Sequence, residues 1–371
     1  MIHVVGIGIA IFWLGVVAKV GKAKAEKKWV VGPEVATEGT LPHLTVVIPA
    51  RDEARNIRAC LDAVLASDHP DFDVVVFDDG STDGTAELCA GARVIRGEGA
   101  VPEGWKGKPW ALHRATRGLD APWLLFLDAD VRVHPACLRI AHARAIADEA
   151  DFLSGFGKLV MGSFWEKVIQ PSVGGLILAG NDLDAVNDPE RKDRIIANGQ
   201  LILVRRDAYE AVGGHEAVKD DILDDVGLAK AFVDKGLKLR VFMMRELFSC
   251  RMYTSLAELW YGWTKNLYAG MGHRLDRVVF LVGFIAFEFL LPYAMVVAGA
   301  ATARADVLAW GTGLVALIHA VRAWMDGIFG QERAYGLLQP LGAVALVGLL
   351  VDSARRSRAG TVRWKGRTYA A

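Results

Sequence analysis

The chain has 371 residues, with 43 Lys and Arg against 43 Asp and Glu. That balance excludes a nucleic-acid binder working by bulk attraction, and the length allows one large domain with extensions. The 53% hydrophobic fraction is high for a soluble enzyme and gathers at the two ends.

Residues 2–18 contain no Lys, Arg, Asp or Glu. At ~1.5 Å per residue they just span a bilayer core of ~30 Å, given some local thinning. Lys19, Lys22, Lys24, Lys27 and Lys28 follow this run and no basic residue precedes it. A signal peptide carries its basic residues in front. Residues 1–22 therefore read as an uncleaved anchor, with the chain beyond it in the cytoplasm; a peripheral hydrophobic helix is the alternative. Residues 23–43 are a linker.

Residues 44–250 alternate strands and helices. Strands are expected at 44–48, 73–77, 92–95, 123–127 and 200–204, and a last one at 238–242. Helices are expected at 53–65, from 85 onward, at 108–118, at 206–212 and after the acidic turn at 220. Such alternation argues for a parallel, doubly wound sheet, with ligands outside the carboxyl ends of its strands. Residues 151–199 have no readable pattern. The four cysteines, Cys60, Cys89, Cys137 and Cys250, form no metal-ligand spacing and read as reduced thiols.

The chemistry gathers where strands end. The apolar run Trp123–Leu127 leads into Asp128-Ala129-Asp130. Two carboxylates so close together suit Mg²⁺ or Mn²⁺, and Mg²⁺ typically adds substrate phosphates to its ligands. Alone, the pair also fits two solvated acids capping a helix. Pro49-Ala50-Arg51-Asp52-Glu53 follows the first strand. Its polar groups fit a base or ribose, or a helix start with Asp52 as cap. Asp79, in Asp-Asp-Gly-Ser-Thr-Asp-Gly, fits a base N–H or a loop of turn formers. Lys108, ahead of a helix, fits a phosphate or open solvent. Neither a Gly-x-Gly-x-x-Gly nor a P-loop is present. In Asp220-Asp221-Ile222-Leu223-Asp224-Asp225, one acid of the last pair suits a general base and its neighbour a cap.

Residues 251–277 place Leu259, Trp260, Trp263 and Leu267 on one helical face, as in an interfacial helix or an ordinary core stripe. Residues 278–303 are long enough to cross a membrane, while 307–321 and 336–351 look short, so the membrane region is 278–351. The tail 352–371 is basic. Three crossings would carry it outside, against the positive-inside rule, so an even number or a non-spanning segment is expected. Glu288 and His319 lie inside apolar runs, where ionisable groups face a bundle interior or pack at a boundary.

Taken in order, Val46-Val47-Ile48-Pro49-Ala50-Arg51-Asp52-Glu53, Asp78-Asp79-Gly80-Ser81-Thr82-Asp83, Lys106-Gly107-Lys108, Asp128-Ala129-Asp130 and Leu223-Asp224-Asp225 resemble glycosyltransferase family 2. The resemblance implies an α/β GT-A domain, Rossmann-like with a mostly parallel sheet, between N-terminal and C-terminal transmembrane helices. It implies an inverting enzyme using a nucleotide-diphospho-sugar, commonly a UDP-sugar, and a divalent cation. By it, Pro49, Ala50, Arg51, Glu53 and Asp79 hold the nucleotide and Lys108 borders it. Asp128 lies by ribose and metal, Asp130 is the metal ligand, and Asp225 is the base beside Asp224, where the family has Glu. The Gln-x-x-Arg-Trp of processive members is replaced by Glu258 to Asn266, in which Lys265 takes the phosphate-facing place; this counts against a polysaccharide synthase. Gly262-Trp263-x-Lys265-Asn266, Arg251-Met-Tyr-Thr-Ser and the tail Trp364-Lys365-Gly366-Arg367-Thr-Tyr are similar to the membrane branch near carotenoid- and hopanoid-associated glycosyltransferases. The expected acceptor is a lipid or isoprenoid, and the expected place is the bacterial cell membrane. A sugar nucleotidyltransferase and a non-catalytic membrane scaffold are the rival readings.

Overall fold

The computed structural model describes residues 1–35, 39–364 and 367–369, with no side-chain description beyond 361. The linker positions 36–38 and the Lys365-Gly366 step of the tail lie outside the described residues. The chain divides into two compact units. The sheet unit is Trp29–Val160 with Gly180–Met252, and the helical unit is Met1–Lys28, Met161–Ala179 and Tyr253–Ala371.

After α1 (Ile2–Glu26), the chain enters the sheet unit through β1 (Leu44–Ala50), α2 (Ile57–Leu65), β2 (Phe72–Asp78), β3 (Arg93–Arg96), α3 (Gly107–Ala115) and β4 (Trp123–Leu127). It continues with β5 (Val131–Val133), α4 (Cys137–Ala147), β6 (Phe152–Phe156) and β7 (Lys158–Leu159). It leaves for α5 (Phe164–Gly180), whose residues up to Ala179 belong to the helical unit, and returns through α6 (Leu183–Val186). The unit closes with β8 (Leu201–Arg205), α7 (Arg206–Ala211), α8 (Asp224–Asp234), β9 (Leu239–Met243) and β10 (Phe248–Cys250).

Seven strands form the main sheet in the order β3-β2-β1-β4-β8-β6-β9. β1, β2, β3 and β4 pair in parallel, as do β6 and β9. β8 runs antiparallel between β4 and β6, so the sheet is mixed rather than wholly parallel. β1, β2 and β4 are continuous β-branched and aromatic runs because helices cover both faces of the sheet. α2 buries Ile57, Cys60, Leu61 and Val64. β1 turns toward β2 on one side and meets β4 on the other, which is the switch point where ligands enter such sheets. The β1–β4 ladder stops at Val47 and Phe126, two residues before Pro49, whose missing N–H falls where that ladder has ended.

Three local expectations are corrected. The helix expected at 53–65 starts only at Ile57, because Asp52 takes a left-handed φ of 50° and bonds to a neighbouring loop instead of capping. The helix expected from 85 is a single 3-10 turn, Ala86–Leu88. The strand ending at Met243 is not the last, since β10 pairs with β5 and β7 in a small second sheet.

In the helical unit, α9 (Leu256–Gly270), α10 (Leu275–Ile285), a π turn (Ala286–Leu290), α11 (Leu291–Ala301), α12 (Ala305–Ile328) and α13 (Gln339–Arg358) follow. Among the described residues four helices are long and apolar enough to cross a membrane: Ile2–Glu26, Leu275–Ala301, Ala305–Ile328 and Arg333–Arg358. The two segments that look short are therefore full-length. Their polar residues pair internally: Arg322 Nε donates to Asp326 at 2.8 Å, Arg322 also reaches Gln339, and Tyr293 meets His319 at 3.1 Å. Glu288 is buried in the π turn. A methyl on Gly299 would meet the Leu308 nitrogen at 2.5 Å, so α11 and α12 approach almost backbone to backbone. The Trp-bearing face of α9 packs inside this unit. Leu259, Trp263 and Leu267 are buried, and Trp260 donates to Asp352 of α13 at 2.9 Å.

Candidate active site

Two loops at the carboxyl ends of β1 and β2 are tied together. Asp52 N–H donates to Ser81 Oγ (2.9 Å), Glu53 N–H to Thr85 Oγ1 (2.8 Å) and Ala54 N–H to Asp83 (2.9 Å). In return Asp52 accepts from the Thr82 N–H at 2.9 Å. These four bonds hold Asp52 in a backbone region that a non-glycine residue seldom adopts. The Asp79 N–H donates to the Ala50 carbonyl at 2.8 Å, and Arg51 donates to the Asp79 carbonyl at 2.5 Å. Asp78 and Asp79 are buried at the strand end, while Gly80 and Thr82 to Gly84 of the same loop stay exposed.

At the end of β4, Asp128 accepts from the Lys108 ammonium at 2.5 Å. Lys108 stands in the first turn of α3 and also donates to the Gly199 carbonyl at 3.3 Å. The Gly199 N–H donates to Asp225 Oδ2 at 2.8 Å, and Asp225 Oδ1 takes the Val226 N–H at 2.9 Å. One residue, Gly199, therefore links the lysine to the acid at the start of α8 through its carbonyl and its N–H. The Asn198-Gly199-Gln200 turn is also held to β4, since the Asp128 N–H donates to the Gln200 carbonyl at 3.2 Å. Lys106 pairs with Asp220 at 3.0 Å.

Burial, then the Asp224 carboxylate, raises the Asp225 pKa to about 6 against the pull of Lys108 and two N–H donors. Burial opposes the charge on Lys108, but Asp128, Asp224 and Asp225 outweigh it and drive its pKa up. Burial, then Asp128 and Glu53, raises Asp130 to about 7. Among the described residues Asp130 Oδ1 is buried with no hydrogen-bond partner. An acceptor oxygen stranded beside two further acids is what a hard cation satisfies. Among the described residues no three His, Cys, Asp or Glu form a metal cluster.

Of the residues singled out in the sequence, Pro49, Ala50, Arg51, Glu53, Asp79, Lys108, Asp128, Asp130, Asp224 and Asp225 all fall in the sheet unit. Lys265 lies on α9 in the helical unit. Two features escape the sequence reading. One is Gly199, flagged only by the turn-forming Asn-Gly step before β8. The other is His215, buried against Phe126 and bonded to the Tyr209 hydroxyl at 2.8 Å; burial pushes its pKa down to about 3, so it stays neutral beside Lys108.

Residues 45–212 match the family model Glycosyl transferase family 2. Curated relatives named 4,4'-diaponeurosporenoate glycosyltransferase occur in Staphylococcus aureus. The protein of strain USA300 is 26% identical over 339 residues, 88% of each chain, and that of strain MRSA252 is 26% identical over 341 residues, again 88% of each. A mannosyltransferase from Pyrobaculum calidifontis, solved with GDP-Man and Mn²⁺, is 19% identical and superposes with a TM-score of 0.51 over 96% of this chain and 98% of its own. That likeness shows a shared GT-A fold.

Proposed function

We propose that this chain, whose residues 45–212 match the family 2 glycosyltransferase model, moves a sugar from a nucleotide-diphospho-sugar to a lipid or isoprenoid-type acceptor, inverting the anomeric carbon. The observation that carries the reading is the meeting of Asp128 and the Gly199–Asp225 turn on the single ammonium of Lys108.

Asp225 is the general base. At a pKa of about 6 it is ionised at neutral pH yet more basic than an ordinary aspartate, the compromise that proton abstraction favours. It takes the proton of an acceptor hydroxyl, and the oxygen attacks the anomeric carbon on the face opposite the departing diphosphate. Lys108 presents fixed positive charge toward that diphosphate. Asp224, at the start of α8 beside the base, keeps the pKa of Asp225 raised. Arg51, Glu53 and Asp79, with Pro49 and Ala50, form the base and ribose wall. Asp130 and Asp128 would hold Mg²⁺ or Mn²⁺, which when bound offsets charge on the leaving group.

The names of the staphylococcal relatives support an isoprenoid-type acceptor. The GDP-Man and Mn²⁺ held by the archaeal mannosyltransferase support the donor class and the cation. UDP-sugars head our list of donors. The four apolar helices give the chain a place in the bilayer where such an acceptor partitions. Lysines at the end of α1 favour a cytoplasmic sheet unit in the bacterial cell membrane.

The test is nucleoside diphosphate release by membranes containing the protein, with UDP-glucose or GDP-mannose, Mg²⁺ or Mn²⁺, and with or without a lipid extract. Metal-dependent release stimulated by lipid is expected. Pyrophosphate release instead would indicate a nucleotidyltransferase, and no release with any donor or lipid would indicate a scaffold.

A further inference from the structure

The transfer reaction leaves the arginines at the end of α13 without a role. In the helical unit, the first turns of α10 and the last turns of α13 line a groove of about 680 Å³. Val278, Val279, Val282 and Val351 form its apolar side, and Arg355 and Arg358 its charged side. Both helices belong to candidate spans, and the arginines sit where the second of these ends. In hydrocarbon an apolar groove attracts any acyl chain equally, so selectivity must come from charge.

The charge here is one-sided. No carboxylate lines the groove. The nearby Asp352 is committed to Arg355 (2.7 Å), Arg356 (2.7 Å) and the Trp260 N–H (2.9 Å). Arg358 makes no ion pair among the described residues. Three arginines thus stand against one carboxylate. Val279 and Val351 are 65% and 52% exposed, which a lipid tail would cover and a free anion would not.

We propose that this groove holds one anionic phospholipid of the bilayer, with its acyl chain along the valines and its phosphate on Arg355 and Arg358. Basic pockets between membrane helices recognise anionic head groups in this way. None of the proposed catalytic acids lines the groove, which favours a bilayer lipid over the sugar acceptor. The inference needs the membrane placement of these helices and not the transfer reaction.

The experiment is native mass spectrometry of the full chain in mild detergent. It is titrated with phosphatidylglycerol, with phosphatidylcholine of the same acyl chains, and with glycerol phosphate. One phosphatidylglycerol should bind at least tenfold tighter than phosphatidylcholine. Arg358→Gln, at an exposed position, should weaken it about fivefold. Val282→Trp, which fills the groove, should abolish it, with thermal unfolding confirming that both variants fold. Equal affinity for the two lipids, or unchanged affinity in Arg358→Gln, would overturn the proposal. So would competition by glycerol phosphate on a par with lipid, or one-for-one displacement by the sugar acceptor.

Discussion

Replacing Gly199 with alanine tests the site through two atoms of backbone. A methyl there would stand 3.0 Å from Lys108 Nζ, 3.3 Å from Asp225 Oδ2 and 3.4 Å from Asp225 Cβ. Lys108 is held by Asp128 and the Gly199 carbonyl, and Asp225 is fixed in the first turn of α8, so neither yields freely. The strain falls on the 2.8 Å bond from the Gly199 N–H to Asp225. A hydrogen bond to a charged group contributes about 1.5–3 kcal/mol, which corresponds to a loss of roughly tenfold to a hundredfold in kcat. The φ at Gly199 is not left-handed, so the fold should tolerate the change. The assay is nucleoside diphosphate release at saturating donor, beside Gly174→Ala, where nothing lies within 4 Å of the added carbon. Turnover of the Gly199 variant within twofold of wild type, with unfolding unchanged, would refute the linkage between Lys108 and Asp225.

Asp225→Asn should lose about 10²–10⁴-fold in turnover while keeping donor affinity by calorimetry; wild-type turnover would remove Asp225 from the role of base. Asp130→Ala should abolish cation-dependent donor binding, measured with and without chelator. Turnover should rise with pH and level off above a midpoint near 6, because the raised pKa of Asp225 must be passed before the base is free. Asp224→Asn should move that midpoint down, since it deletes a like charge; an unmoved midpoint would point to another base. Gly299→Val should lower the unfolding temperature in detergent, at a cost of about 1–3 kcal/mol for overpacking against Leu308.

The strands of the sheet were legible because burial on both faces leaves unbroken runs such as Leu124-Leu125-Phe126-Leu127. The acids at their ends were legible for the same reason, since each interrupts such a run. Helix starts were not, because Asp52 is set by loop-to-loop bonds that no local pattern encodes. α12 looked too short because Arg322 and Asp326 read as solvent-facing until they are seen paired. α5 was hidden by Glu166, Gln170 and Pro171, and Glu166 serves the backbone N–H groups of Gly162 and Ser163. Gly199 acts through main-chain atoms, so its identity carries little trace of its part in the site.

The excursion of the chain through α5 bears on how this protein can be produced. A methyl on Gly342 of α13 would meet the Val168 carbonyl oxygen and the Ser172 hydroxyl of α5 at 2.8 Å each. α5 therefore docks on a helix that leaves the ribosome long after the strands on either side of α5. A shortened chain ending after β10 would retain α5 but lose the surface it rests on, leaving the buried faces of Val168, Ile169 and Val173 open to water. Expression of the sheet region alone is thus an aggregation hazard. Deleting the last helix should impair maturation of a segment that the ribosome completes some half-chain earlier.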